Sequence, residues 1–436
     1  MKKGFSFISH HDFPQEVHPP LLAYISELSK ITEKEVDDYP SPPYALRLPL
    51  DVHVLEEVTM MAKRFSSSRL KYIIVVGIGG SKLGTKAVYD ALCCEDGALS
   101  SRAKLLFLET FSASAIVHVN KILAKEVRSS QELLINLVSK SGTTMESVVN
   151  FELLYHTLLK RFPDIATRVV CTTDVGSALW AEGTRLGFGL LPVPAHVGGR
   201  FSVFSAVGLF PLLLVGVDIK NFREGGRDML HVALSSYERE NYAIKSAGEL
   251  FAALKSGCTM FNIFHFNPEL ESLGKWERQL VAESLGKEKN LLGKTVHAGV
   301  TPLVSIGSSD LRSMAQLYLG GPRDKFTMLV RASEKIGGRM PKSEKLFSLV
   351  GGISGKGAGE IMDATYDGVL TAYKKHELPC LEVRLPTISP YVIGAYMEWR
   401  MATVIYLAKL MNVNPFDQPN VEDYKKVTRE ILESSK

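Results

Sequence analysis

The sequence predicts an α/β protein: two doubly wound parallel sheets with flanking helices, followed by a helical C-terminal tail. Three observations carry that prediction. Four short apolar runs between residues 72 and 173 alternate with longer amphipathic segments, and a second series of four does the same between residues 258 and 385. Strands buried on both faces read as continuous apolar runs, and helix-length spacers are what parallel crossovers require. With 436 residues, 45% of them hydrophobic and 22% charged, the chain can build a large core and exceeds what one core usually organises.

The elements follow in order. Residues 1–65 carry Pro14, Pro19, Pro20, Pro40, Pro42 and Pro43 between short helical patterns such as "LLAYISELSK", and read as an N-terminal arm. A first domain is expected over 66–220, with strands at "YIIVVG" (72–77), "KLLFLE" (104–109), "LLINLV" (133–138) and "RVVCTT" (168–173). A second is expected over 221–388, with strands at "CTMFNIFHF" (258–266), "TPLVSIG" (301–307), "FTMLVRA" (326–332) and "PCLEVRL" (379–385). Ligands of such sheets sit at the carboxyl ends of strands or between the domains. The tail, 389–436, reads as helical. Its stretch "VIGAYMEWRMATVIYLAKLM" (392–411) is strongly apolar but holds Glu398, Arg400 and Lys409, which favours a buried helix over a membrane span.

Composition excludes several function classes. The net charge of +4 is spread along the chain without a long basic run, so no nucleic-acid footprint is present, although a mild positive excess suits anionic metabolites. The apolar stretch "AVGLFPLLLVGV" (206–217) is too short to span a bilayer, and "MKKGFSFISHHDFPQ" at the start lacks an apolar signal core. Five scattered cysteines, an odd number, argue against a disulfide framework and for a reducing compartment; Cys93 and Cys94 read as helix residues. The histidines show no ligand spacing, so no metal is expected. A cytoplasmic protein without a membrane or nucleic-acid partner is the expectation.

Five stretches bear on chemistry by their residue types and spacing. "VVGIGGSKLGTK" (75–86) puts a glycine cluster between a strand and a helix, but its spacing fits neither a dinucleotide fingerprint nor a Walker loop. It is either a plain strand-to-helix turn or a tight turn at Gly80 and Ser81 where backbone N–H groups approach a hydroxyl or phosphate. "VSKSGTTMES" (138–147) sets five hydroxyls and Lys140 behind an apolar strand. One hydroxyl would cap a helix; so many at a helix N-terminus, where free N–H groups and the positive dipole end lie, suit an anion. "HVGGRFSVFSAVG" (196–208) places Arg200 after two glycines, either as a surface ion pair or as a cationic fork aimed at developing negative charge. In "NPELESLGKWERQLVAESLGK" (267–287), helical spacing puts Gln279 and Glu283 on one face. Glu283 is either a solvated charge or, flanked by Val281, Ala282 and Leu285, a partly desolvated carboxylate suited to general-base work. "FDQPNVEDYKKVTREIL" (416–432) opens with a turn and runs into a helix bearing Lys425 and Lys426, and says little alone.

Taken together and in this order, "GIGGSKLG", "SKSGTTMES", "VGGRFSVFSAVG", "ESLGKWERQLVAES" and "DQPNVEDYK" resemble the glucose-6-phosphate isomerase (phosphoglucose isomerase) family over about residues 70–430. The resemblance implies two sugar-isomerase (SIS) domains, interconversion of glucose 6-phosphate and fructose 6-phosphate through a cis-enediol, no cofactor, and a homodimer. It implies that Ser139, Ser141, Thr144 and Ser147 hold the sugar phosphate with Lys140 nearby, and that Gly80 and Ser81 line the sugar. Glu283 would move the proton between C1 and C2, Arg200 would stabilise the enediolate, and Gln279 and Gln418 would help position substrate. Lys425 would assist ring opening. Three positions depart from the family pattern. "SSDLRSMAQ" has Arg312 where the family has a ring-opening histidine supplied by the neighbouring subunit; arginine stays protonated and cannot shuttle a proton at neutral pH. Asn420 replaces a glycine, and Ala195 an acidic or amide residue. Two rival readings stand beside the isomerase: a non-catalytic sugar-phosphate sensor, in which Arg312 marks lost activity, and an isomerase that also accepts mannose 6-phosphate.

Overall fold

The computed structural model describes residues 5–9, 18–33, 39–93, 103–236, 240–333, 338–341 and 350–434. Two five-stranded sheets organise the chain. The first holds β2 (Tyr72–Val76), β3 (Lys104–Leu108), β4 (Leu133–Val138), β5 (Val169–Thr173) and β6 (Gly189–Pro192), all parallel, in the order β3-β2-β4-β5-β6. The second holds β7 (Met260–His265), β10 (Thr301–Ile306), β11 (Lys325–Ala332) and β12 (Cys380–Leu385), parallel in the order β10-β7-β11-β12. An antiparallel edge strand, β1 (Ser6–Ser9), completes it, with Ser6 opposite Arg384. The remaining two strands, β8 (Lys287–Lys289) and β9 (Thr295–Ala298), form a hairpin.

All eight strands expected from the apolar runs are present within two residues of the expected limits. β6 escaped sequence reasoning because "GLLP" is only four residues long, with a glycine and a proline at its ends. β1 joins the second sheet, so the N-terminal arm is anchored at its start to the far half of the chain. Cys93 caps the helix Leu83–Leu92, and Cys94 lies outside the described residues.

Strand order positions the site. In the first sheet β2 lies between β3 and β4, with Val76 paired to Leu108 on one side and Leu137 on the other. The chain leaves β2 in one direction and β3 in the other, which opens a crevice at the carboxyl ends of β2 and β4. Those ends carry the glycine turn 77–82 and the hydroxyl-rich loop 139–144.

The largest core lies between the sheets, where helices Ala206–Leu214, Ile219–Ala233, Glu271–Leu285 and Pro390–Leu410 pack. Pro390–Leu410 is apolar on every side and buried from Val392 to Ala408, as a central helix must be. Arg400 sits in it by donating to Glu277 at 2.6 Å and Ser246 at 2.8 Å, while Tyr396 donates to the other Glu277 oxygen at 2.6 Å. These added hydrogen bonds offset part of the cost of burying the charge pair, although one terminal nitrogen of Arg400 has no hydrogen-bond partner among the described residues. Burial pushes the carboxyl of Glu398, in the same helix, well above the usual carboxylate range. Among the described residues no helix is long and apolar enough to cross a membrane.

Candidate active site

The crevice opens as a cleft of about 720 Å3 lined by the first half of the chain and the tail. Loop 139–144 forms one wall. Gly142, at φ +72°, turns the chain so that Ser139, buried, shares a 2.9 Å hydrogen bond with Thr144, and the Thr143 N–H donates to Ser141 Oγ at 3.3 Å. Thr144 stands at the N-cap of helix Met145–Leu159 but makes no side-chain cap. The first-turn N–H groups of that helix therefore remain available to a guest. Ser147, one turn in, is buried with its Oγ unpartnered among the described residues.

Two glycines bring the next wall close. The backbones of Gly80 and Gly199 touch, and a Cβ on Gly80 would lie 2.6 Å from the Arg200 nitrogen. Only glycine permits that approach. It seats Arg200 at the base of the cleft, where its guanidinium is nearly fully buried and every nitrogen is used. Nε donates to Ser284 Oγ at 2.8 Å, one terminal nitrogen to Glu283 Oε2 at 3.0 Å and Gln418 Oε1 at 2.8 Å, and the other to the carbonyls of Pro415 at 2.6 Å and Asp417 at 3.2 Å. Arg200 thus ties the first half, helix Glu271–Leu285 and the tail together. Burial pulls it below the ordinary arginine range, and Glu283 opposes that shift.

Glu283 is held from both sides, because Gln279 donates to its other oxygen at 2.8 Å. Its side chain is 34% exposed, so the desolvation expected from its apolar neighbours is partial. Lys287, one turn on and buried, donates to the Glu283 carbonyl at 2.9 Å and pairs with Asp417 at 3.0 Å.

Of the sequence candidates, Ser81, Lys140, Ser141, Thr144, Gln418 and Lys425 line the cleft directly. Gly80, Ser139, Ser147, Arg200, Gln279 and Glu283 form the layer behind, with Glu283 linked to Gln418 on the cleft wall by two hydrogen bonds through Arg200. Lys425, on helix Val421–Ser434, pairs with Glu422 at 2.6 Å beside the cleft. Arg312 is not brought in. It is exposed on helix Gly307–Gly320 and absent from the lining. Left-handed backbone at non-glycine positions falls at His297, Glu377 and Asn412 and not at Asn420, so the family glycine's freedom is not needed at that turn. Ala195 lines the cleft as an exposed methyl.

Sequence reasoning missed Lys287, Ser284, Asp417, Asp174 and His196. Asp174 follows the carboxyl end of β5, and that position was the available signal. Its N–H donates to the Lys140 carbonyl at 3.2 Å. Burial pushes Asp174 up while Lys140 and His196 pull it down; burial pushes Lys140 down while Asp174 supports its charge. No group of three or more potential metal-ligating side chains occurs among the described residues.

The phosphoglucose isomerase family signature matches residues 55–322. The glucose-6-phosphate isomerase of Leptospira interrogans is 32% identical over 388 residues, covering 85% of this chain and 82% of that protein. Among solved structures, a hypothetical protein from Thermus thermophilus superimposes with a TM-score of 0.86 at 28% identity, over 98% of this chain and 100% of the other. A glucose-6-phosphate isomerase from Chlamydia trachomatis shares the fold, with a TM-score of 0.77 at 19% identity over 95% of this chain and 84% of its own. On the strength of the matched family signature and relatives, the chain belongs to the phosphoglucose isomerase family.

Proposed function

We propose that this protein is an aldose-ketose isomerase that interconverts glucose 6-phosphate and fructose 6-phosphate, serving glycolysis and gluconeogenesis. The observation that carries the reading is the Glu283 carboxylate, held at its two oxygens by Arg200 and Gln279 and coupled through Arg200 to Gln418 on the wall of a cleft that meets a helix N-terminus without a side-chain cap. Ser139, Ser141, Thr144 and Ser147 with the helix N–H groups take the phosphate, and Lys140 adds charge. Gly80 and Ser81 border the sugar, and Gln279 and Gln418 orient it. Glu283 then removes the proton from C2 of the open-chain aldose and returns it to C1, while the negative charge that develops on the enediolate oxygens falls beside Arg200. The proton leaves one carbon and returns to its neighbour, so the chemistry balances without a cofactor.

A homodimer is part of the proposal. Helix Gly307–Gly320, which carries Arg312, borders an apolar groove of about 210 Å3 formed by Leu311, Ala315 and Leu319 together with Val369 and Ala372. A second copy covering this face would receive Arg312 in its own cleft, where the guanidinium polarises the sugar ring oxygen. The buried free thiols of Cys171, Cys258 and Cys380 support a cytoplasmic compartment.

The test is turnover of fructose 6-phosphate in deuterated water. Glucose 6-phosphate that carries some deuterium at C2 and some transferred protium supports a single base acting through an enediol. A folded protein that binds the sugar phosphate and forms no product overturns the reading.

A further inference from the structure

Resting on the isomerase reading, we propose that His196 is the acid that opens the sugar ring in this protein, with Asp174 as its charge partner. Both substrates are predominantly cyclic, so a proton must reach the ring oxygen before any base can act at C2. The family's histidine for that step is an arginine here, and a guanidinium holds its proton throughout the neutral range. The cleft offers one replacement.

The titratable groups facing the cleft are Lys140 and Asp174 from the strand ends, Glu146 from the first turn of helix Met145–Leu159, and Glu422, Tyr424, Lys425 and Arg429 from the tail helix, together with His196. Imidazole has two ring nitrogens, one able to donate and the other to accept, so it can both give and recover a proton. His196 stands on the loop that ends in Arg200, directly before the Val197-Gly198-Gly199 turn that packs on Gly80. Asp174 answers electrostatically to both His196 and Lys140, and one of its oxygens is buried without a hydrogen-bond partner among the described residues. A nearby carboxylate stabilises the imidazolium by its charge.

Position favours the ring oxygen. The phosphate on C6 lies in the 139–147 loop, and the ring oxygen is bonded to C5, the neighbouring carbon. Asp174 is joined to that loop through the Lys140 carbonyl, so the Asp174 and His196 pair flanks the same end of the sugar. In the step itself the C1–O5 bond breaks with its electron pair staying on O5, which takes the imidazolium proton. The O1–H bond gives its electron pair to form the C1=O1 carbonyl, and the released proton passes to a cleft water that restores the imidazolium. Nothing is oxidised or reduced. Arg312 from a partner subunit polarises O5, and His196 supplies the proton.

The experiment reads ring opening separately from isomerisation. Exchange between the α and β anomers of glucose 6-phosphate, followed by magnetisation-transfer NMR, passes through the open chain without any proton transfer at carbon. The wild-type protein should accelerate it, and Glu283→Gln should retain that acceleration while losing fructose 6-phosphate formation. His196→Gln and His196→Asn should each lower catalysed anomer exchange at least about tenfold, leave KM within about twofold, and recover with added imidazole. Wild-type anomer exchange in both folded variants overturns the proposal. A raised KM at unchanged kcat also overturns it, since that is the signature of a phosphate contact alone. If the wild-type protein forms no fructose 6-phosphate at all, the isomerase reading itself fails, a result distinct from either.

Discussion

Arg200 shows how much one residue holds. Five acceptors from two distant parts of the chain converge on its guanidinium. A lysine keeps the charge and loses the fork. Arg200→Lys should therefore lower kcat for fructose 6-phosphate by roughly 10²–10³-fold, the magnitude of removing a preorganised donor to developing charge; an unchanged kcat would remove Arg200 from the chemistry. Away from the site, His265 at the end of β7 is fully buried, both ring nitrogens lack a partner among the described residues, and its pKa is held down to about 3 by burial, with Arg400 adding to the shift. A folded pKa depressed below the ordinary 6.5 contributes stability that is complete above pH 6.5 and is lost as pH falls from there toward 3. The slope is at most about 1.4 kcal/mol per pH unit. His265→Gln should flatten urea-unfolding stability between pH 6.5 and 4 by about that slope; an identical pH dependence in the variant would contradict the assignment. Glu398, raised by burial, acts in the opposite sense, and its stabilising contribution is lost as pH rises above the ordinary carboxylate range.

Between elements, function depends on close approach of turns. The glycine turn after β2 packs on the glycine turn before Arg200 with no room for a methyl group. Gly80→Ala must push the two apart, so it should cost about 1–3 kcal/mol in urea unfolding and should lower kcat more than tenfold by displacing Arg200 from Glu283. A variant with wild-type kcat would show that the loops are not held in register by this contact. The strands and the polar turns after them were legible in the sequence, because buried parallel strands read as apolar runs and their carboxyl ends carry the chemistry. β6 was not, since four residues show no period. The same logic explains what was missed in the site. Lys287, Asp417 and Asp174 matter through contacts across more than 30 residues of chain or through burial, as in the pairing of Lys287 with Asp417, and neither spacing nor residue type announces that. Glu283 and Gln279 were legible because i, i+4 on a helix is a local rule. That they stand one layer behind the cleft lining follows from the tail segment Pro415–Gln418 folding over Arg200, a long-range event.

At the scale of the whole molecule, the chain joins its two sheets through a shared core but leaves Arg312 exposed and outside the lining of its own cleft. If a second copy receives it, each site draws Glu283 from one subunit and Arg312 from the other. Arg312→Ala and Glu283→Gln should then each impair turnover alone, yet a refolded equal mixture should regain about a quarter of wild-type activity, because half the dimers are mixed and each mixed dimer keeps one intact site. No recovery in a mixture that forms mixed dimers would place each site within one chain. The central claim, that the carboxylate held by Arg200 and Gln279 is the isomerising base, is tested most directly by turnover of fructose 6-phosphate by Glu283→Gln beside the wild-type protein. The account predicts a fall of roughly 10²–10⁴-fold in kcat with KM nearly preserved. A folded Glu283→Gln protein that isomerises at the wild-type rate would contradict it.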